Sequence, residues 1–186
     1  MTFAGWCFYK SAMRTFGTSH IRFAAAALLT VAAGIATSAA QAQTRTVKKF
    51  GDWRVLAHDG AEGRICFAIS APKSSEPPAA APGAHFYVSA WPKDGVRAEI
   101  SVKTSVPLKP NAPASIAIDK VFYKLFSKGD RAFIIDATDE LKVLDAMKKG
   151  STITVIAQSE QGVVSKDTYS LAGVAQALQA VSGGCK

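Results

Sequence analysis

The sequence has few of the residues from which reactive and metal-binding sites are built. It contains three cysteines and three histidines among 186 residues, and only Cys66, Cys185, His58 and His85 lie after residue 42, so a structural zinc site of about four ligands would need all of them. It has no G-x-S-x-G, P-loop, H-E-x-x-H or G-x-G-x-x-G motif, which excludes the usual signatures of several hydrolase and nucleotide-binding classes. We therefore predict that the chain is not an enzyme and has no catalytic residue, no cofactor-binding residue and no metal site.

The N-terminal segment has the parts of a secretory signal peptide. Three basic residues and no acid precede an apolar run of 14 residues, Phe23–Ala36, and small residues ending in A-Q-A at Ala40–Ala42 follow it. The run is too short to span a bilayer, which takes about 20 apolar residues, and it lacks the polar face of an amphipathic helix. We predict that residues 1–42 are cleaved off after export, with Met1 or Met13 as the start.

Removal of that segment leaves a single predicted domain, residues 43–186, with a moderate positive charge. Its 144 residues carry 19 Lys and Arg against 14 Asp and Glu, a net charge of about +5. Such a charge can favour anionic lipid head groups or cell-wall polymers, but the lysines are scattered, which favours simple solubility. We expect no membrane-spanning segment after cleavage and no nucleic-acid partner for an exported chain. The partner we predict is an unknown protein or envelope component.

Signal cleavage also changes the cysteine count. Cys7 lies in the predicted signal peptide, which leaves Cys66 and Cys185 as an even pair in an oxidising compartment. Such a pair is typical of a disulfide, and we predict a Cys66–Cys185 bond. The alternative is a reactive thiol beside His58 or His85, but that thiol would have to escape oxidation by the other cysteine.

Most of the remaining chain shows short runs in which apolar and polar residues alternate between turn residues, and this pattern predicts β-strands. Two proline-rich tracts between the runs, 71–84 and 107–113, are predicted to be exposed loops. The predicted strands are 46–57, 64–71, 85–91, 97–106, 115–119, 121–126, 132–136, 151–159 and 163–170.

The predicted strand 64–71 carries large side chains on one side. Ile65, Phe67 and Ile69 share one face, and Cys66 lies on the other. Together with its neighbours, this strand indicates a sheet with one buried face.

The pattern changes to a helical period near residue 138. Leu141, Leu144 and Met147 recur every three residues, and they are predicted to lie on one face of a helix of about 10 residues. We predict Thr138 as its N-cap and Gly150 as its end.

A second helix is predicted over 171–181, with Ser170 as its N-cap. The many strands connected by short turns, followed by two helices, predict a mostly β chain: a β-sandwich with two short helices in the C-terminal part. A small antiparallel barrel is the alternative fold.

Three groups of residues invite a functional interpretation, and each has a simpler structural one. The acidic cluster Asp136, Asp139 and Glu140 could supply paired carboxylates, but helix capping accounts for it. Trp53 and Trp91 could stack on carbohydrate, but core packing is the expected role. The basic stretch 124–131 could contact an anion, but a solvated hairpin is expected.

Several motifs follow one another in a fixed order along the predicted exported chain. They are F-G-D-W-R-V (Phe50–Val55), R-I-C-F-A (Arg64–Ala68), A-M-K-K-G-S-T-I-T-V (Ala146–Val155), D-T-Y-S-L-A-G (Asp167–Gly173) and a terminal cysteine. This series resembles the invasion-associated locus B (IalB) family of alphaproteobacterial exported proteins, and the resemblance covers about residues 46–185. The resemblance implies an immunoglobulin-like β-sandwich, a periplasmic or outer-membrane-associated or secreted location, and a link to host-cell invasion without established enzymatic activity.

The chain departs from the family's fuller cysteine pattern. Many members carry a cysteine soon after the G-D-W motif and a further pair in the middle strands, but the residues after Trp53 and the stretch 121–135 contain none. The departure implies a branch with a single disulfide.

The sequence therefore predicts an exported, non-catalytic envelope protein that acts by binding and contributes to host-cell interaction or to envelope function. One alternative is a secreted cell-wall or carbohydrate hydrolase with two carboxyl groups in a cleft. The other is a periplasmic inhibitor or chaperone-like module that binds a protein through the loop 71–84 or a sheet edge.

Overall fold

The computed structural model describes residues 43–78 and 83–185. The predicted signal peptide and Cys7 lie outside these residues. Neither helix in the described part of the chain has the length and hydropathy needed to cross a membrane. The strands are β1 (Gln43–Phe50), β2 (Trp53–Gly60), β3 (Gly63–Ser70), β4 (Ser74–Glu76), β5 (His85–Trp91), β6 (Val96–Lys103), β7 (Ala114–Ile118), β8 (Val121–Lys128), β9 (Arg131–Phe133), β10 (Thr152–Gln158) and β11 (Val164–Ser170), and the helices are α1 (Ala137–Lys149) and α2 (Val174–Ser182).

The strands form one antiparallel sheet in the order β1-β2-β3-β5-β6-β9-β8-β7-β10-β11-β4. Strand β8 joins its two halves, because residues 121–125 pair with β7 and residues 126–128 pair with β9. We call β1, β2, β3, β5, β6 and β9 the first half, and β7, β10, β11 and β4 the second half. The prediction of a mostly β chain, consistent with a β-sandwich, with two helices in the C-terminal part is confirmed.

The core lies between the two halves of the sheet. The rings of Trp53 and Phe86 are 5.9 Å apart between centroids, and those of Phe86 and Tyr169 are 5.7 Å apart, both in edge-to-face geometry. Since Trp53 and Phe86 belong to the first half and Tyr169 to the second, this cluster joins the layers. The Trp53 indole Nε1 also donates a hydrogen bond to the Ser170 carbonyl at 2.9 Å. The expected core role of Trp53 is confirmed.

The buried face of β3 is the one that carries Cys66. Cys66 and Ala68 are fully buried, whereas Ile65 and Phe67 on the opposite face are only half-buried. The larger side chains therefore lie outside, because helix α2 and the chain's C-terminus occupy the space above the inner face of this strand. Ile69 is buried but also points to the outer side.

Helix α1 begins before the predicted cap. The carboxylate of Asp136 accepts a hydrogen bond from the Asp139 backbone N–H at 2.9 Å, so Asp136 is the N-cap and the prediction of Thr138 is wrong. Val143 and Met147 are the buried residues of the helix, and Leu141 is 68% exposed. At about 100° per residue, steps of three drift around the helix, so Leu141 lies far from the face of Met147.

Helix α2 begins after a close approach of two backbone segments, and Ser170 is not its cap. Gly173 is the N-cap, with a φ of 88°, and Ser170 ends β11. A Cβ on Gly173 would overlap the Phe50 carbonyl, and the Asp52 N–H bonds the Ala172 carbonyl at 3.1 Å. The F-G-D-W and S-L-A-G motifs therefore contact each other, and glycine is needed where they meet.

The tract 71–84 is not wholly a loop. Ser74–Glu76 forms β4, which pairs with Lys166–Thr168 of β11, and residues 79–82 lie outside the described part of the chain. A three-residue edge strand tolerates the prolines that follow it, since they need not donate to a neighbouring strand. In the second tract, 107–113, Leu108 is buried and bridges to Ser159.

Candidate functional site

The first half of the sheet presents large aromatic side chains on the side that faces away from the core. The register places Phe67 opposite Ser89, Ser89 opposite Glu99, and Ser101 opposite Phe133, so these side chains share one face. They line a shallow depression of about 320 Å³. We call this surface the outer aromatic face; its residues are Phe67, Tyr87, Ser89, Trp91, Glu99, Ser101, Arg131 and Phe133.

Tyr87 lies at the centre of the contacts on this face. Its ring centroid is 6.2 Å from that of Phe67 and 6.1 Å from that of His85. The guanidinium carbon of Arg131 lies 5.3 Å from the Tyr87 centroid, within the range of a cation–π interaction. These neighbours restrict the orientation of the Tyr87 ring, and Arg131 covers one side of it.

The outer aromatic face also carries charged groups of both signs. Burial raises the pKa of Glu99, and the nearby Arg131 charge partly offsets that increase. Glu99 is the one carboxyl among the residues described around this depression. Rings, hydroxyls, a carboxyl and a guanidinium can bind a partner by stacking and hydrogen bonding, but they do not make a carboxylate pair.

The acidic cluster near α1 has structural roles. Asp136 caps the helix, and the Asp139 carboxylate lies 2.8 Å from Lys142 Nζ. Glu140 Oε1 accepts a hydrogen bond from the Ile100 backbone N–H at 2.6 Å. Ile100 stands just beyond the last pair between β6 and β9, so Glu140 satisfies a donor that β9 leaves without a strand partner. Burial raises the pKa of Glu140, and the Glu99 charge adds to the increase.

Neither histidine of the predicted exported chain joins a catalytic arrangement with a cysteine. The Nδ1 atom of His58 lies 2.7 Å from the Thr44 hydroxyl, and that of His85 lies 3.1 Å from the Gly83 carbonyl. Cys66 and Cys185 are buried and joined in a disulfide, with their Cα atoms 5.7 Å apart. The bond attaches the end of the chain to the inner side of β3.

The structure separates the two tryptophans that the sequence groups together. Trp53 is in the core, whereas Trp91 is half-buried and belongs to the outer aromatic face. From the basic stretch 124–131, Arg131 contributes to the same face. Sequence analysis did not identify Tyr87, Glu99 and Phe133, since only strand pairing brings them together.

A buried polar cluster also escaped the sequence analysis. Asp167 is 2% exposed, and its Oδ1 atom, the Ser75 Oγ atom and the Tyr169 hydroxyl have no hydrogen-bond partner among the described residues. Burial raises the pKa of Asp167. Burial is also the main cause that raises the pKa of Tyr169. The alternation in β11 places Asp167 on the same inner side as the aromatic residue Tyr169, and this spacing is the feature of the sequence that indicates a buried Asp167.

No protein-family model and no curated protein matches the chain. Among solved structures, the chain is similar to the crystal structure of invasion associated protein B from Bartonella henselae. The TM-score is 0.53 and the sequence identity is 14%, over 73% of this chain and 95% of the other. The likeness therefore shows a shared fold.

Proposed function

We propose that the chain is an exported, non-catalytic envelope protein of the IalB family, which binds its partner through the outer aromatic face. The ordered motif series supports the family, and the fold shared with invasion associated protein B agrees with it. Binding of a protein or envelope component is the function, and host-cell interaction is one process to which it would contribute.

Two observations support a periplasmic, outer-membrane-associated or secreted location. The first is the signal-peptide pattern of residues 1–42. The second is the Cys66–Cys185 disulfide, a bond that persists in oxidising compartments.

The binding proposal rests on one observation: large aromatic side chains remain partly exposed on the sheet face that points away from the core. The inner face already supplies Trp53 and Phe86 to the core, while Phe67, Tyr87 and Phe133 remain half-buried on the outer side. Contiguous apolar surface rimmed by polar groups is typical of interaction sites, and aromatic and arginine side chains are enriched at interfaces.

The non-catalytic part of the proposal rests on how the reactive side chains are engaged. The carboxylates of Asp136, Asp139 and Glu140 cap or pair within the fold. The two thiols are consumed in the disulfide.

A capture experiment with matched variants tests the binding site. The purified protein, expressed from the full sequence, is immobilised and exposed to envelope extract, alongside a Phe67→Ser/Phe133→Ser double variant. Phe122→Ser is the control, because Phe122 is 65% exposed and is not part of the outer aromatic face. We expect the double variant to lose the partner that the wild type and the control retain.

Two outcomes would contradict the proposal. Equal capture by all three proteins would remove the outer aromatic face from the binding site. Release of soluble fragments from purified cell-wall polymer by the wild-type protein would contradict the non-catalytic role. Fractionation tests the location, and recovery in the cytosol with both thiols reduced would exclude it.

A further inference from the structure

A second concave surface lies on the other side of the sheet, where α1 and α2 meet the first half near β6. Its volume is about 380 Å³, within the range of about 300 to 1,000 Å³ typical of small-molecule sites. Val88, Leu178 and Val181 are buried and form its deepest part. Leu141 and Leu144 of α1 provide a further apolar wall. We call this surface the interhelical groove.

Leu141 stands out among the residues of the interhelical groove. It is 68% exposed, although it lines the groove together with other apolar side chains. A ligand in the groove would cover Leu141 and the half-buried Leu144. Burial of their exposed apolar surface would contribute favourable free energy to binding.

The charges around the interhelical groove have a single sign. Arg97 and Lys148 are its ionisable lining residues, and no carboxylate lines it among the described residues. Neither cation takes part in an ion pair with a described residue; on the same helix turn, Asp145 pairs with Lys149 instead. Apolar walls beside two cations without ion-pair partners are complementary to an apolar chain that ends in an anionic group.

We propose that the interhelical groove binds a single acyl chain that carries one anionic head group, with a long-chain fatty acid as the ligand. The chain lies against Leu141, Leu144 and Leu178, and the carboxylate is placed by Arg97 and Lys148. This inference is independent of the proposed function, because the interhelical groove lies on the inner side of the sheet and shares no residue with the outer aromatic face.

The disulfide contributes to the shape of this site. Val181 and Ser182, in the last turn of α2, line the groove, and Cys185 just beyond them is tied to β3. Reduction frees the end of α2, so we expect it to weaken ligand binding even where the protein stays folded.

Titration with a fluorescent fatty acid tests the proposal directly. The probe is cis-parinaric acid, and dodecanoate and dodecanol serve as competitors that differ in head-group charge. We expect saturable binding to the wild type, displacement by dodecanoate, and displacement by dodecanol that is about tenfold weaker. Absence of saturable binding, or equal displacement by the alcohol, would overturn the proposal.

Variants of α1 locate the binding site. Lys148→Glu reverses a charge at the groove and should weaken binding about tenfold or more. Lys120→Glu is the control, because Lys120 is exposed and lies outside α1 and the groove, and its affinity should stay close to that of the wild type. Leu141→Asp changes a side chain that is 68% exposed and should also weaken binding. Equal affinities of the Lys148→Glu and Lys120→Glu variants would overturn the assigned position of the head group.

Discussion

On strand β3 the smaller side chains face the core and the larger ones face outward, which is the reverse of the usual arrangement. Cys66, Ala68 and Ser70 face the core, whereas Ile65 and Phe67 remain half-buried on the outer side. Small residues suit the inner face because the chain's end returns over it; the Cys185 Sγ atom lies 3.3 Å from the Leu56 carbonyl of β2. The large outer rings have no such packing role, which is why we assign them to binding.

Loss of the disulfide should produce the largest effect on the inner side. The bond spans 119 positions, for which the chain-entropy model gives about 5 kcal/mol as an upper estimate. We expect Cys185→Ser to lower the Tm about as much as reduction lowers that of the wild type. Cys66→Ser is the matched control and should behave identically. If the Cys185→Ser protein, measured without reductant, has the same Tm as the wild type, the bond does not stabilise the fold.

Truncation of one ring on each side compares the faces directly. Phe86→Ala removes a fully buried ring and should cost about 3 to 5 kcal/mol. Phe67→Ala, on the outer side, should cost about 1 kcal/mol because its ring is only half-buried. Denaturant unfolding measures both, and equal losses would mean that the outer aromatic face is part of the stabilising core.

A methyl group added where the F-G-D-W and S-L-A-G motifs meet should destabilise the fold, because the two backbone segments are in close contact there. Gly173→Ala combines a φ of 88° with overlap onto the Phe50 carbonyl, and we expect a loss of about 3 kcal/mol. Gly162→Ala is the control, because Gly162 has a φ of 84° but nothing within 4 Å of the added carbon. Its loss should be about 1 kcal/mol. Similar losses for the two variants would attribute the cost to backbone conformation alone.

The smallest expected effect is a gain in stability from a neutral residue at Asp167. Its pKa is raised in the folded state, so the folded protein loses stability as the pH rises from the ordinary pKa through the raised one. Asp167→Asn removes that loss and should increase the free energy of unfolding near neutral pH. Stability should also depend less on pH in the acidic range.

Asp145→Asn is the control for that measurement. The Lys149 ammonium lowers the pKa of Asp145, so this variant should lose a little stability near neutral pH instead of gaining it. A destabilised Asp167→Asn protein at neutral pH would mean that the buried carboxylate is stabilised by a partner.

Much of the fold follows from local patterns in the sequence. Alternating runs predicted most strands, and the change of period near residue 138 predicted α1. The prediction of one strand over 46–57 is wrong, because the chain turns at Gly51 and Asp52 and forms a hairpin of β1 and β2. The N-caps were less predictable, since Asp136 and Thr138 are both favoured N-cap residue types and the helix's first hydrogen bonds identify Asp136 as the cap. Strand β4 was missed because its pairing with β11 comes from a segment about 90 positions away.

The candidate site was predicted only in fragments. Trp91 and Arg131 were noticed as possible contact residues, but Tyr87 and Phe133 had no distinguishing pattern. Alternation assigns residues to two faces of a strand, yet it does not say which face meets the core. That choice depends on the layer packed against the strand, and here the layer is α2 with the C-terminal cysteine.

The sequence alone determined the local features of this protein: short strands, two late helices, a pair of cysteines after the signal-peptide pattern, and the motifs that resemble one family. These depend on residue type and on spacing within a few positions. The tertiary structure decided that β8 links both halves of the sheet, that Gly51 and Gly173 meet, and that the larger side chains of β3 face outward. Each of these depends on contacts between distant segments, whose energies no local pattern contains.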